Sequence, residues 1–187
     1  MEDLNEIDEI VVTGGRPLHG TVRIQGSKNT ALPVMAAALL SSGTSVLREC
    51  PKITDVFLME KILRELGAET WWEDHDLYLD CSHADGTVIP EYFSGKMRSS
   101  VILLGAMLGR NGKARTGYPG GCVIGKRPVD LHIQVLQKLG ARIVENGNEI
   151  QATCGKLKGA EVIFPKSSVG ALSLIHISEP TRQAEIS

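Results

Sequence analysis

The chain has 187 residues, 42% of them apolar but only 4% aromatic, with 20 glycines, a net charge of -2 and a pI near 6.2. That length supports one good-sized core or two small ones, built here from Ala, Leu, Val, Ile and Met rather than from large rings. The charge argues against a general nucleic-acid binder, which carries a basic excess, so anion binding must be local.

The first ten residues are acidic (Glu2, Asp3, Glu6, Asp8, Glu9), the opposite of a secretory leader, and no apolar stretch approaches the ~18 residues of a membrane span. A cytoplasmic protein with no membrane or nucleic-acid partner is expected. Its four cysteines, Cys50, Cys81, Cys122 and Cys154, are widely spaced without a CxxC pair, which suggests reduced thiols and neither a zinc site nor a disulfide framework.

Residues 10–13 read as a short strand closed by Gly14 and Gly15, and residues 20–25 alternate again before Gly26, Ser27, Lys28 and Asn29. Residues 31–40 are apolar on every side, which predicts a helix buried all round. Gly43 ends it and residues 44–47 read as a strand. Thr54 or Asp55 is placed to cap a second helix, with Val56, Met59, Ile62, Leu63 and Leu66 on one face and Gly67 as its stop.

The plan then repeats. Residues 61–68 (KILRELGA) match 134–141 (QVLQKLGA) at an offset of 73 that holds through Cys81 and Cys154, and residues 32–43 match 101–112 at an offset of 69. Each copy is helix, Gly, hairpin, and Asn146-Gly147 predicts a type I′ turn in the second. Cys81 and Cys154 fall at equivalent hairpin ends, where packing is the simpler role. A third unit begins at Glu161, where residues 162–171 line up with 22–31. About three such units predict an α/β (α+β) domain with buried helices inside and sheets outside.

After Ala171 the repeat calls for another buried helix, and the sequence argues against one: Pro180 and a polar end suit no core helix. Residues 172–187 (LSLIHISEPTRQAEIS) instead resemble the translation of a sequencing-library adapter, so they are set aside as non-native read-through.

Residues 119–128 hold three glycines, two prolines and Cys122, which excludes a regular helix or strand. Lys126 and Arg127 lie four and five residues beyond Cys122, and nearby cations favour a thiolate. The alternative is a structural cysteine in a Gly-rich turn. Lys28, Arg98, Lys126, Arg127 and Lys166 all stand on or beside loops that open these units, and cations at helix starts make anion sites. No Gly-rich P-loop or dinucleotide motif is present. His132, ten residues after Cys122, leaves a Cys-His pair as a minor alternative; Asp130 opens its helix as a cap and could also accept from a base or sugar.

Gly26-Ser-Lys-Asn29, Met97-Arg98, Pro119-Gly-Gly-Cys122-Val-Ile-Gly125, Arg127-Pro-Val-Asp-Leu-His132 and Ser168-Val-Gly-Ala171 together resemble the ordered motifs of the UDP-N-acetylglucosamine 1-carboxyvinyltransferases, from about residue 10 to 171. The resemblance implies the inside-out α/β barrel of the enolpyruvyl transferases. It also implies transfer of the enolpyruvyl group of phosphoenolpyruvate to the 3′-hydroxyl of UDP-N-acetylglucosamine, at the opening of peptidoglycan synthesis, with no metal or organic cofactor. By position, Cys122 matches the proton donor that fosfomycin alkylates. Lys28 and Asn29 match phosphoenolpyruvate contacts, with Arg127 nearby. Arg98, the run Arg127, Pro128, Val129, Asp130 and Leu131, and the run Lys166, Ser167, Ser168 and Val169 match UDP-sugar contacts.

Family members are roughly twice this length and close the site between two similar domains. Residues 1–20 would then belong to the domain not present, residues 21–171 to the first domain, and the chain as written is expected to show no turnover. The shikimate 3-phosphate type of enolpyruvyl transferase is the nearest rival but lacks the Cys-containing loop. A non-catalytic nucleotide-sugar module on the same α/β unit is the rival from another class.

Overall fold

In a computed structural model, residues 11–17, 19–120, 129–165 and 168–178 are described. Residues 11–17, 19 and 20–27 form no strand, and Val22 and Ile24 stand exposed. The strands expected at 10–13 and 20–25 are therefore not formed over their described residues. Alternation marks a face, but a strand also needs a neighbour to complete its hydrogen bonds.

Helix α1 spans Lys28–Ala38. It buries Ala31, Leu32, Met35, Ala36 and Ala38, yet Val34 is 45% exposed, so the helix is not enclosed all round as its apolar sequence suggested. Strand β1 (Thr44–Leu47) follows as expected, then α2 (Thr54–Glu65), with Val56, Met59, Ile62 and Leu63 fully buried. Its N-cap is Ile53, without a side-chain cap, so Thr54 and Asp55 lie in the first turn, where Asp55 still suits the positive helix end. The chain turns at Gly67 with φ 97, as the stop signal predicts.

The hairpin β2 (Glu69–Glu73) and β3 (Asp76–Asp80) pairs antiparallel, and β1 adds to β3, giving a sheet ordered β1-β3-β2. Leu77 and Leu79 point into the core. Glu60 ties α2 to this sheet: its buried carboxylate accepts from Arg64 at 2.6 Å, Thr70 at 2.7 Å and Trp72 at 3.1 Å. A charge taken out of water persists there because each oxygen is partnered.

The second unit opens with β4 (Val88–Ile89) and the short α3 (Glu91–Ser94), then a 3-10 turn over Arg98–Ile102 that runs into α4 (Leu103–Asn111). Residues 103–108 are all buried. Gly112 ends α4 with φ 66, and a Cβ there would sit 2.6 Å from the Cys154 carbonyl oxygen, so only glycine fits. Strand β5 (Lys113–Gly117), α5 (Asp130–Lys138) and the hairpin β6 (Arg142–Asn146) and β7 (Glu149–Thr153) complete a sheet ordered β4-β5-β7-β6. Its β4–β5 pair alone is parallel. Asn146 pairs with Glu149, so Gly147 and Asn148 form the turn. Of the two only Gly147 has positive φ, so the type I′ turn expected at Asn146-Gly147 is not made.

The last helix, α6 (Val169–Ser178), corrects the expectation that no buried helix follows Ala171. Ala171, Leu174 and Ile177 recur at helical spacing and are buried, packed against α4, α5 and α1. Pro180 lies outside the described residues. Helices α1, α4 and α6 pack on one another, with the two sheets outside them, the arrangement that the repeat predicts. Cys50 and Cys81 are buried thiols and Cys154 is half-buried, donating to the Gly140 carbonyl at 3.5 Å; none of the three is in a disulfide.

Candidate functional site

Four helical segments begin on one cavity of about 810 Å³. From α1 come Asn29, Leu32 and Pro33; from the 3-10 turn ahead of α4 come Arg98, Ser99, Val101 and Ile102. From α5 come Asp130, Leu131, His132 and Gln134, and Pro165 precedes the α6 residues Val169, Gly170 and Ser173. The starts of α1, the 3-10 turn and α5 have no side-chain cap, whereas Ser168 Oγ caps α6 by accepting from the Ala171 N–H at 3.3 Å. Helix starts carry unpaired N–H groups and the positive end of the helix dipole. Gathering four of them around one space makes it receptive to a polyanion.

The predicted residues divide into four groups. Asn29, Arg98, Asp130, Leu131, Ser168 and Val169 all line the cavity, although they come from four elements separated by up to 140 positions. Val129 is buried beneath it as the N-cap of α5, and Asp130 is the first helical residue, so the capping role expected of Asp130 is not taken. Lys28 is adjacent but turned away: its Nζ pairs with Asp55 at 2.7 Å on the half-exposed flank of α2. Cys122, Arg127, Pro128, Lys166 and Ser167, along with Lys126, lie outside the described residues.

Arg98, Asp130 and His132 are the ionisable residues among the described lining, and His132 is held uncharged. Burial, and then the positive charge of Arg98, push the imidazole down from 6.5 to about 4, against a smaller opposing pull from the Val129 carbonyl. His132 is 4% exposed, and its Nδ1 has no hydrogen-bond partner. Cys50 and Cys81 are poor nucleophiles. Burial, with Glu60 nearby, raises Cys50 to about 11, and burial raises Cys81 as well.

Ser99, Gln134 and Ser173 also line the cavity and were not singled out from sequence. Helical spacing carries the signal for two of them: Gln134 is four residues past Asp130, and Ser173 four past Val169. The second was hidden by setting aside the residues after Ala171.

The sequence profile of the EPSP synthase (3-phosphoshikimate 1-carboxyvinyltransferase) family matches residues 12–185. The chain is 49% identical over 164 residues to the UDP-N-acetylglucosamine 1-carboxyvinyltransferase of Wolbachia pipientis wMel, covering 83% of this chain and 39% of that relative. It is 44% identical over 168 residues to the protein of the same name from Chlorobium chlorochromatii (strain CaD3), covering 88% and 40%. Among solved structures, the enolpyruvyl transferase NikO from Streptomyces tendae superposes with a TM-score of 0.67 at 27% identity, over 78% of this chain and 32% of that one. EPSP synthase from Acinetobacter baumannii gives 0.66 at 18% identity, over 85% and 37%, a likeness of fold. The chain thus spans about two fifths of the length of the curated relatives it matches.

Proposed function

The chain belongs to the EPSP synthase (3-phosphoshikimate 1-carboxyvinyltransferase) family, and we propose that it is part of a UDP-N-acetylglucosamine 1-carboxyvinyltransferase. The observation that carries this reading is the convergence of Asn29, Arg98, Asp130, Ser168 and Val169 on a cavity ringed by helix starts. Identity of 49% to a relative of that name favours it over the shikimate 3-phosphate type.

In the proposed reaction, Cys122 gives its thiol proton to C3 of phosphoenolpyruvate while the 3′-hydroxyl oxygen of UDP-N-acetylglucosamine bonds to C2 and its own proton passes to water. The tetrahedral intermediate then returns a proton from C3 to the Cys122 thiolate as the C2–O bond to phosphate breaks, leaving the enolpyruvyl ether and inorganic phosphate. Lys28, Asn29 and Arg127 hold phosphoenolpyruvate. Arg98, the residues Arg127 to Leu131 and the residues Lys166 to Val169 hold the nucleotide sugar, so that cations and helix starts balance two anionic substrates brought together. For Lys28 this requires its half-exposed side chain to leave Asp55. Such an exchange is cheap, because a surface ion pair contributes only about 0–1 kcal/mol. The product is the committed precursor of peptidoglycan. With the chain at about two fifths of its relatives' length, turnover by the 187 residues alone is expected to be absent.

Fosfomycin in the presence of UDP-N-acetylglucosamine tests the assignment of Cys122. Peptide mass spectrometry should locate the adduct on Cys122, leaving Cys50, Cys81 and Cys154 unmodified. An adduct on Cys154 with Cys122 free would overturn it.

A further inference from the structure

The two hairpin units carry different outer faces at matched positions. In the sheet β1-β3-β2, Leu77 and Leu79 face the core, so Asp76, Tyr78 and Asp80 face outward. Register puts Val46 and Trp71 on either side of Tyr78, in a row where Val46 is 44% and Trp71 39% exposed. At offsets of 69 and 73 the second sheet has Arg115, Gln151 and Val144 in that row, in the same register. The unit is therefore built without rings at this place, and the chain is sparing of them elsewhere, at 4% aromatic.

The rings form a fixed platform. Trp71 and Tyr78 stack with centroids 5.1 Å apart and planes 13° apart. Glu73 borders both: the indole N–H donates to its carboxylate at 3.3 Å, and the same charge helps hold the Tyr78 hydroxyl protonated above the usual tyrosine range. Tyr78 covers one face of the indole and β2 is the outer strand, so the other face looks out past the sheet edge. Two residues along the strands stand Glu69 and Asp80 on one side of the row, Glu73 and Asp76 on the other. None of these carboxylates is in an ion pair among the described residues, although Arg48, just past β1, lies near Tyr78. The matched positions of the second sheet are Arg142, Thr153, Asn146 and Glu149, so the acidic frame, like the rings, belongs to the first sheet alone.

We propose that this face is a docking surface for an arginine-bearing segment of a partner protein, with a guanidinium stacked on the free face of Trp71 and donating to Glu69 and Glu73 on either side. Arginine fits better than lysine. Its plane lies flat on a ring while the N–H groups at its edge reach carboxylates, and a compact ammonium cannot do both. Size and charge set the kind of partner. Three strands of this length span about 14 by 17 Å, well under half of the roughly 800 Å² per partner of a standard interface, so the occupant is a short segment rather than a second globular copy. Two copies of the face would also set carboxylate against carboxylate. Arg64 takes the Thr70 carbonyl of β2 at 3.0 Å, so the segment docks through side chains and not as an added strand.

The probes are the blocked peptide Gly-Arg-Gly-Arg-Gly and its lysine counterpart Gly-Lys-Gly-Lys-Gly, titrated into the 187-residue chain and followed by the 1H–15N signals of β2 and β3. Trp71→Val supplies the residue that the second sheet carries at the matched place, Val144. The proposal expects saturable binding of the arginine peptide by the parent, and binding at least about fivefold weaker both for the lysine peptide and for Trp71→Val. Arg115→Gln, on the other sheet, should match the parent. Equal affinity for the two peptides, or an affinity that Trp71→Val leaves unchanged, is charge attraction alone and overturns the proposal; so does no binding by the parent. If Trp71→Val fails to fold, Glu69→Lys takes its place, at an exposed position, with the same fivefold expectation and the same reading of an unchanged affinity. Sedimentation velocity tests the remaining occupant: a parent that self-associates and becomes monomeric in the variant has a second copy on this face, which also overturns the proposal.

Discussion

Gly170 and His132 interlock: the space a side chain at 170 would fill is taken by the imidazole, 2.7 Å from Nε2 to where a Cβ would be. The pair joins the first turns of α5 and α6, and both residues line the cavity. Replacing Gly170 by Ala therefore acts on the ring before it acts on the helix. Ala raises helix propensity by about 1 kcal/mol, which offsets part of the steric cost. The expected outcome for Gly170→Ala is a melting temperature within a few degrees of the parent and UDP-N-acetylglucosamine affinity reduced roughly tenfold, read by thermal melts and calorimetry on the same preparation.

Arg110 gives a second, purely structural prediction. Its guanidinium donates to the Leu39 carbonyl at 2.6 Å, the Ser41 carbonyl at 2.8 Å and the Ser82 carbonyl at 3.1 Å. It thereby closes the end of α1 against α4 and the turn after β3, and positive charge also suits a helix C-terminus. Arg110→Met keeps the stem and removes the fork. Charged donors to carbonyls contribute about 1.5–3 kcal/mol each when buried. For this partly exposed group a total loss of roughly 2 kcal/mol is expected, or a melting temperature lower by about 4–8 °C. An unchanged melt would show that these bonds do not hold α1 in place.

The pH dependence of stability follows from His132. Its folded-state value near 4 lies below its ordinary 6.5. Between those values the unfolded chain binds a proton that the folded chain does not, so stability rises with pH across this window. The contribution is complete above pH 6.5 and is lost as the pH falls from 6.5 toward 4. Unfolding free energies from urea titrations at pH 7 and pH 5 should differ by about 2 kcal/mol from this group. His132→Asn should flatten the slope over that range; an identical slope in the variant would assign the effect to other groups.

Much of the frame was legible from the chain. Val56, Met59, Ile62 and Leu63 recur at helical spacing and are all buried, Gly67 stops the helix, and the 73-residue offset foretells two matching helix–hairpin units. Where the reading missed, a long-range partner decided. Residues 11–13 and 20–25 alternate like strands but find no neighbouring strand. Leu174 and Ile177 enter the core because α4 and α1 offer a groove, which the nearby Pro180 concealed. Within the site, Arg98 and Asp130 were recognisable from their motifs. The turn of Lys28 toward Asp55 and the orphaned nitrogen of His132 depend on side chains across helices, and no spacing rule reports them.

The most direct test of the account is to titrate the chain in parallel with UDP-N-acetylglucosamine and with shikimate 3-phosphate, each against the parent and Arg98→Ala. Saturable binding of UDP-N-acetylglucosamine that Arg98→Ala weakens at least about tenfold, with no response to shikimate 3-phosphate, is the predicted result. Saturable binding of shikimate 3-phosphate with silence toward UDP-N-acetylglucosamine would contradict it.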